Sequence, residues 1–324
     1  MEFRSQMESM ERLKDKKIIV TGGTGFIGGH LVEELINQGA DILVIDIVCH
    51  KNSYFNKQLL KKKTLLKLID ISEKEKIRNV FKKFNPDFVF HLAAEAIVED
   101  SYSDPYKTFQ TNVMGTVSVL EACRSLKKIK GIIVASSDKA YGKTKNAYTE
   151  SSPLQGDHPY DVSKSCTDLI SQAYFKTYGL PVAITRFGNV YGEGDVHLNR
   201  IIPGICEAIL KNKILMIRSN GKYVRDYVYV KDVVSGYIFI LKNIKKTVGE
   251  AFNFSSNDSY SVLGLIKYVE KILKVKIKYK IQNSTRNEIP YQHLNDNKIR
   301  ALGWRSAYNL KENLTRTLEW YRQI

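Results

Sequence analysis

The sequence has no long hydrophobic run. Its 324 residues are 43% hydrophobic and 26% charged, which is ordinary for a globular protein. Nowhere do they approach the roughly 18 consecutive apolar residues that a membrane-spanning helix needs. The first dozen residues alternate in charge and have no apolar centre, which argues against a secretory signal. We therefore expect a soluble, cytoplasmic protein with no membrane partner.

Cysteine is scarce, and acidic residues are outnumbered. Four cysteines stand singly, with no Cys-x-x-Cys pair, so the spacing predicts neither a disulfide framework nor a bound metal. Lysine and arginine total 50 against 34 aspartates and glutamates, a net charge of +16. These basic residues are spread along the chain and form no single arm, which argues against a nucleic-acid partner. An excess of positive charge still favours an anionic substrate such as a nucleotide diphosphate.

A glycine-rich turn follows the first predicted strand. Lys17-Ile-Ile-Val-Thr21 is an apolar strand, and apolar residues at helical spacing come after the turn. Strand, glycine turn and helix in this order bind pyrophosphate, because glycines admit it close to the backbone and the helix N-terminus supplies amide donors. We predict that this turn binds a dinucleotide through Gly22, Gly25, Phe26, Ile27 and Gly28.

The second predicted strand, Asp41-Ile-Leu-Val-Ile-Asp46, ends in an acid 18 residues past Gly28. A carboxylate at this place accepts hydrogen bonds from the adenosine ribose hydroxyls and repels the extra phosphate of NADP. Asp46 therefore predicts NAD as the cofactor, although the nearby Lys51 weakens that preference.

Two groups of polar residues point to chemistry. The apolar strand Gly131-Ile-Ile-Val-Ala-Ser136 is followed by Ser137, Asp138 and Lys139. They would lie at the carboxyl end of that strand, where open α/β sheets bind ligands.

Tyr160 and Lys164 form the second group. They stand four residues apart, so on a helix they share one face, and the ammonium would lower the pKa of the phenol. Alternating strands and helices through this region predict a parallel doubly wound sheet.

On these motifs the chain resembles the NAD-dependent sugar epimerase/dehydratase family of extended short-chain dehydrogenases/reductases. The resemblance runs from about Lys17 to the C-terminus. The segments most similar to CDP-glucose 4,6-dehydratases are 136–142, 158–168, 199–203, 217–226 and 287–289.

The resemblance implies an α/β fold, with a Rossmann-type doubly wound parallel sheet and a smaller interleaved α/β substrate lobe. Residues 14–190, with a return segment at about 226–256, would form the NAD domain, and 191–324 the lobe. Two long helices, 106–126 and 158–178, would pair across a homodimer as a four-helix bundle, and a tetramer is an alternative.

The resemblance also implies roles. Tyr160 takes the proton of the sugar 4-hydroxyl, with Lys164 lowering its pKa and Ser137 hydrogen-bonding the same hydroxyl, while NAD accepts a hydride from carbon 4. Asp138 and Lys139 then supply the acid and base that remove water across carbons 5 and 6, and the hydride returns to carbon 6.

Lysine at 139, where dTDP-glucose dehydratases usually carry glutamate, favours the CDP-glucose or UDP-N-acetylglucosamine type. The alternatives are a UDP-sugar 4-epimerase of the same fold, with Asp138 and Lys139 a structural ion pair, and a non-catalytic dinucleotide- or RNA-binding relative.

Further binding residues are carried over from the family. For the cofactor they are Asp70, Ile71, Leu92, Ala93, Ala94 and Asn112, together with Tyr160 and Lys164. For the nucleotide sugar they are Glu95, Asn189, Arg200, Arg218, Arg225, Arg286 and Tyr291. The buried position of His91 in an apolar strand predicts a core histidine and not a catalyst.

Overall fold

A parallel sheet forms the centre of the protein. The computed structural model describes residues 13–144, 146–256, 258–284 and 288–323. Its strands are β1 (Lys17–Thr21), β2 (Asp41–Asp46), β3 (Leu65–Leu68), β4 (Phe88–His91), β5 (Gly131–Ala135), β6 (Val182–Phe187), β7 (Asn189–Tyr191), β8 (Leu215–Ile217), β9 (Val224–Tyr229), β10 (Ala251–Phe254), β11 (Ser259–Ser261) and β12 (Tyr279–Ile281).

Helices connect most of these strands. They are α1 (Phe26–Asn37), α2 (Tyr54–Lys57), α3 (Lys74–Phe84), α4 (Val98–Ser103), α5 (Pro105–Phe109), α6 (Gly115–Arg124), α7 (Pro159–Tyr178), α8 (Ile201–Lys211), α9 (Val230–Lys242), α10 (Ile244–Thr247), α11 (Val262–Leu273), α12 (Asn297–Ala301) and α13 (Leu310–Arg322). Short 3-10 turns span Leu60–Lys63 and Asp138–Tyr141, and a π turn spans Gln110–Met114. Within the described ranges, no helix has the length and apolarity to cross a bilayer.

The central sheet has the order β3-β2-β1-β4-β5-β6-β10, and all its neighbouring strands run parallel. The order reverses between β1 and β4, which is the point where doubly wound sheets open a crevice at the carboxyl ends of the strands. The predicted Rossmann-type fold is confirmed.

Both faces of this sheet are buried, which explains why its strands are apolar without alternation. In β1, Ile18 and Val20 lie in the core on one face, beneath α1 and α9. Ile19 lies in the core on the other face, with residues of α3 and α6. The continuous apolar run in the sequence therefore serves two separate cores.

Two small sheets build the second part of the molecule. One has the order β11-β9-β7 and the other pairs β12 with β8. A third core, formed largely by α8, α11 and α13, packs beneath them. The chain re-enters the central sheet through α9 and β10, whereas β9 belongs to the small sheet. The domain boundaries given above stay a prediction.

Some elements differ from expectation. The predicted helix 106–126 is α5 and α6 joined by the π turn, so its backbone hydrogen bonds shift by one residue around Asn112. Helices α8 and α9 were not singled out from the sequence. Pro203 and Gly204 obscure the first, although apolar residues at helical spacing mark the second.

Candidate active site

A cavity of about 1130 Å³ opens at the carboxyl ends of the central strands. The glycine turn after β1 lines it on the side of the central sheet, and arginines of the second part of the molecule line it opposite. Every residue predicted to be catalytic faces this space: Ser137, Asp138, Lys139, Tyr160 and Lys164.

The glycine turn has no room for side chains. Gly22 has a φ of +73°, and a Cβ there would lie 2.7 Å from the amide nitrogen of Ala93. A Cβ at Gly28 would lie 2.0 Å from the carbonyl oxygen of Gly22. Helix α1 begins just beyond Gly25 with no side-chain cap, so the amides of its first turn are available to an anion. This geometry fits a pyrophosphate.

Asp46 is held in place at the end of β2. Its Oδ2 accepts hydrogen bonds from the Thr24 amide at 3.1 Å and from Thr24 Oγ1 at 2.7 Å. The carboxylate lines the cavity beside the glycine turn, where the ribose of a dinucleotide would lie. Thr24, which fixes this acid, was missed by the sequence analysis.

Most other residues predicted to bind the cofactor also line the cavity: Phe26, Ile27, Ile71, Leu92, Ala93 and Ala94. Asp70 does not. Its Oδ1 accepts a hydrogen bond from the Ser72 amide at 2.8 Å and so closes the turn before α3. The neighbouring Ile69 and Ile71 occupy the cavity wall instead.

Asn112 connects two segments beside the cavity. It is 1% exposed and stands behind the cavity wall. Its Oδ1 accepts from the Glu95 amide at 2.7 Å, and its Nδ2 donates to the Glu95 carbonyl at 3.1 Å and to Ser163 Oγ at 2.9 Å. These bonds use both ends of the amide to join the loop after β4 to α7, and direct contact of Asn112 with the cofactor stays a prediction.

The 3-10 turn after β5 brings the reactive groups together. Ser137 Oγ donates to Asp138 Oδ1 at 3.0 Å and accepts from the Lys139 amide at 3.2 Å. Asp138 is 3% exposed, and burial raises the pKa of its carboxyl despite the opposing charge of Lys139. A raised pKa suits a carboxyl group that must deliver a proton.

Gln292 connects this acid and this base. Its Nε2 donates to Asp138 Oδ2 at 3.1 Å, and its Oε1 accepts from Lys139 Nζ at 3.4 Å. The residue lies 154 positions from Asp138 in the chain, and no sequence pattern pointed to it.

The Tyr160 and Lys164 pair departs from expectation. Lys164 Nζ donates to the Ala135 carbonyl at 3.0 Å, and burial lowers the pKa of this lysine to about 8. Burial raises the pKa of Tyr160, and the charge of Arg200 and the hydroxyl of Ser137 lower it by less. The expected lowering of the phenol pKa by Lys164 is not found, because its ammonium is directed at the backbone.

Asp161 is a buried acid that the sequence analysis did not single out. It is 0% exposed, and its carboxyl oxygens accept no hydrogen bond from the described residues. The nearest basic atom is His158 Nε2 at 3.1 Å from Oδ2. Burial raises the pKa of Asp161 to about 7 and lowers that of His158 to about 4. His158 itself lines the cavity.

Three of the arginines predicted to bind substrate, Arg200, Arg218 and Arg225, line the cavity. Arg200 Nη1 lies 3.2 Å from Asp195 Oδ2, and Arg225 Nη2 lies 2.8 Å from Glu288 Oε1. Arg218 forms an ion pair with Glu99 across the cavity mouth.

Three further predicted residues have other places. Glu95 lines the cavity and pairs with Lys107 at 3.2 Å. Tyr291 bridges Val224 outside the lining, so a direct substrate contact is not seen. Arg286 lies outside the described residues.

Several buried polar atoms on the cavity wall have no hydrogen-bond partner among the described residues. They are Asn189 Nδ2, Ser136 Oγ and the hydroxyls of Tyr191 and Tyr227. Each of these atoms is itself covered from solvent, although its residue lines the cavity. Buried polar groups are nearly always paired, so these atoms mark polar positions beside the ligand space. Asn189 is a residue predicted to contact substrate, and that contact stays a prediction.

A buried ion pair supports both halves of the site. Arg186 is 1% exposed and bonds Asp168 of α7 through Nε at 2.7 Å and Nη2 at 2.8 Å. Its Nη1 donates to the Tyr141 hydroxyl, which donates to Asn253 Oδ1 of β10 at 2.7 Å. This network ties the helix that carries Tyr160 to the turn that carries Asp138. His91 is a core residue, bonded to Thr21 and Thr116.

Residues 18–254 match the model of the NAD dependent epimerase/dehydratase family. The chain belongs to this family. NAD is accordingly its cofactor, and the glycine turn, the free amides of α1 and the anchored Asp46 fit that group.

Relatives in this family have different activities. The chain is 32% identical to a dTDP-glucose 4,6-dehydratase of Haemophilus influenzae over 94% of this chain and 97% of the relative. It is 30% identical to a CDP-glucose 4,6-dehydratase of Salmonella typhimurium, covering 95% and 90%. A UDP-glucuronic acid 4-epimerase from Bacillus cereus, solved with UDP-glucuronic acid and NAD, matches with a TM-score of 0.87 at 26% identity, covering 95% and 99%.

The buried carboxyl of Asp161 predicts a pH dependence of stability. The folded chain holds this proton up to about pH 7, whereas the unfolded carboxyl loses it near its ordinary pKa of about 3.9. The Asp161 contribution to the free energy of unfolding therefore falls as pH rises between these values. Relative to wild type, Asp161→Asn should gain about 2 kcal/mol of stability on going from about pH 5 to about pH 8, measured by urea unfolding.

Glu75→Gln is the control, because Glu75 is an exposed carboxylate paired with Arg78 on α3. It should follow the wild-type pH dependence. Equal pH dependence in wild type and Asp161→Asn would contradict the interpretation that Asp161 is protonated in the folded chain.

Proposed function

We propose that the protein is a nucleotide-sugar 4,6-dehydratase. The observation that carries this proposal is the Asp138 and Lys139 pair, which stands beside Tyr160 in the NAD cavity and is connected through Gln292. Oxidation at carbon 4 needs no second acid and base, whereas removal of water requires both. The two relatives named as 4,6-dehydratases support this assignment.

The oxidation step uses Tyr160, Ser137 and Lys164. NAD held at the glycine turn would supply a hydride acceptor for carbon 4 and a hydride donor for carbon 6, and its positive charge would favour the phenolate. Tyr160 takes the proton of the 4-hydroxyl, and Ser137 hydrogen-bonds the same oxygen. Since burial alone favours the neutral phenol, the charge of Arg200 helps to stabilise the phenolate.

The elimination step uses Lys139 and Asp138. The ketone at carbon 4 acidifies the proton on carbon 5, and Lys139 takes it. The electron pair forms a double bond between carbons 5 and 6, and the 6-hydroxyl leaves as water with a proton from Asp138. Lys139 gives its proton back to carbon 5 when the hydride is added at carbon 6. Burial raises the pKa of Asp138, so the carboxyl can hold this proton until it is needed.

The diphosphate end is assigned to the arginines opposite the glycine turn. Arg200 and Arg225 offer guanidinium groups suited to phosphate, and the unpaired Nδ2 of Asn189 adds a donor. Within this substrate class we favour CDP-glucose, because lysine at 139 is typical of that type.

A 4-epimerase is the second candidate. The similarity to a UDP-glucuronic acid 4-epimerase extends over 95% of this chain, and Ser137, Tyr160 and Lys164 would suffice for that reaction. In this case Asp138 and Lys139 would be a structural pair.

We also propose a homodimer through α5, α6 and α7, in the four-helix arrangement implied by the family. These helices pack together and, with the π turn between α5 and α6, leave Tyr106, Met114, Leu169 and Tyr178 between 48% and 79% exposed. Such a row of apolar side chains on neighbouring helices favours a second copy of the chain as its partner.

A substrate panel tests the activity. The protein loaded with NAD is incubated with CDP-glucose, dTDP-glucose, UDP-N-acetylglucosamine and GDP-mannose, and the products are analysed by mass spectrometry. We expect CDP-glucose to lose one water. Loss of water from another member would revise the nucleotide, and inversion at carbon 4 without loss of water would establish the epimerase.

Replacing Lys139 tests whether this lysine acts in the elimination and not in the oxidation. Lys139→Ala should still oxidise the sugar, seen as NADH absorbance, because Tyr160 and Lys164 remain. Elimination should fall roughly 100-fold or more, since the proton on carbon 5 has no acceptor. Lys143→Ala, which removes an exposed lysine from the same segment, is the control. Normal turnover by Lys139→Ala would remove this lysine from the mechanism.

Disrupting the apolar helix face tests the dimer. Light scattering should give the mass of two chains for the wild type and of one chain for Leu169→Glu, because the charge would be buried between the subunits. Leu65→Glu is the control, since Leu65 is equally exposed on the edge strand β3. A dimeric Leu169→Glu variant would place the interface elsewhere.

A further inference from the structure

Gln292 is an amide enclosed between the two groups that perform the elimination. It is 1% exposed and does not line the cavity, so it touches Asp138 and Lys139 but not the space for substrate. A buried amide in this place must satisfy a donor end and an acceptor end at the same time.

The backbone around Gln292 is fixed from both sides. Its amide donates to the Val224 carbonyl of β9 at 3.1 Å. Asp226, also on β9, accepts from the Leu294 amide at 2.9 Å and lies 2.8 Å from His293 Nδ1. The backbone of Gln292 is therefore held in place. The motion that concerns us is rotation of the terminal amide about the bond that carries it.

The observed orientation fits one protonation state of the pair. Lys139 donates to Oε1, as a charged ammonium does, and Asp138 accepts from Nε2, as a carboxylate does. This is the state after elimination, when Lys139 has gained the proton of carbon 5 and Asp138 has lost its own.

Rotation of the Gln292 amide by half a revolution fits the opposite protonation state of Asp138 and Lys139. Oε1 then accepts from the protonated carboxyl of Asp138, and Nε2 donates to the lone pair of a neutral Lys139. This is the state required before elimination. One side chain can thus pair both groups at the start and at the end of the step.

We propose that Gln292 is a positioning residue for elimination, whose amide pairs Asp138 and Lys139 in both of their protonation states by reversing its orientation. The inference rests on the proposed dehydratase function. It assigns Gln292 no part in the oxidation at carbon 4, because its side chain contacts neither Tyr160 nor the cavity.

A neutral substitution at Gln292 leaves the other charged groups around the pair in place. Arg225 and Asp226 act on Asp138 from β9, and Lys139 acts on His158, which precedes α7, and on Asp161 within α7. Gln292→Met therefore tests the amide without adding a charge, whereas Gln292→Glu also adds a negative charge beside the pair.

The test separates the two half-reactions in Gln292→Met and Gln292→Glu. Methionine keeps the volume but forms neither hydrogen bond, and ionised glutamate keeps the shape but cannot donate to Asp138. NAD-loaded protein is mixed rapidly with the nucleotide sugar that the wild type dehydrates, while NADH absorbance and water loss are followed. We expect NADH to form at the wild-type rate and water loss to slow roughly 10- to 100-fold, so that NADH accumulates.

Gln38→Met is the matched control, because it removes a glutamine bond to Glu34 at the end of α1, remote from the cavity. It should leave both rates unchanged. Equal slowing of both half-reactions in the Gln292 variants would show a merely structural role, and wild-type water loss in Gln292→Met would show no role; either result overturns the proposal. A wild type that dehydrates no sugar would instead refute the dehydratase function itself.

Discussion

The buried pair of Arg186 and Asp168 is the constraint on which the site depends. Asp168 belongs to the helix of Tyr160, and Arg186 reaches through the Tyr141 hydroxyl to the turn of Asp138. Both halves of the catalytic set belong to the βα unit of β5 and α7, and this pair holds the turn after β5 against the helix. Removing one partner of such a pair leaves a buried charge unpaired, at a cost of about 3–5 kcal/mol. The relative position of the two catalytic segments therefore depends on this ion pair.

Burial acts on the ionisable groups around the cavity in a common direction. It favours the neutral forms of Asp138, Tyr160, Asp161 and Lys164. The protonation states of these groups respond strongly to a charged ligand, because a charge is poorly screened in a buried site. NAD and a nucleotide diphosphate both bring charge. The protonation states needed for chemistry are thus set by the ligands together with the protein.

The sequence alone predicted those features whose residues are close together both in the chain and in space. The glycine turn, the strands β1 and β2 and the helix of Tyr160 are of this kind, because periodicity and turn chemistry determine them. Gln292 could not be predicted, since its partners lie about 150 residues away and a glutamine in a loop has no pattern. The hydrogen bonds of Asn112 are a related case. Only the assembled structure shows that its amide is already paired with Glu95.

The return of β10 to the central sheet has a consequence for the order of folding. Until residues Ala251–Phe254 have been synthesised, β6 is an unpaired edge strand, although all its residues are buried in the folded protein. Unpaired apolar edges are sites of mispairing. Asn253 of the late strand also donates its backbone amide to Glu150 and its side-chain amide to Tyr148, so the turn holding the reactive groups is completed by the same event. The nascent chain therefore pairs the open edge of β6 and fixes the segment between Asp138 and Tyr160 in one step, whereas Gln292 is synthesised later.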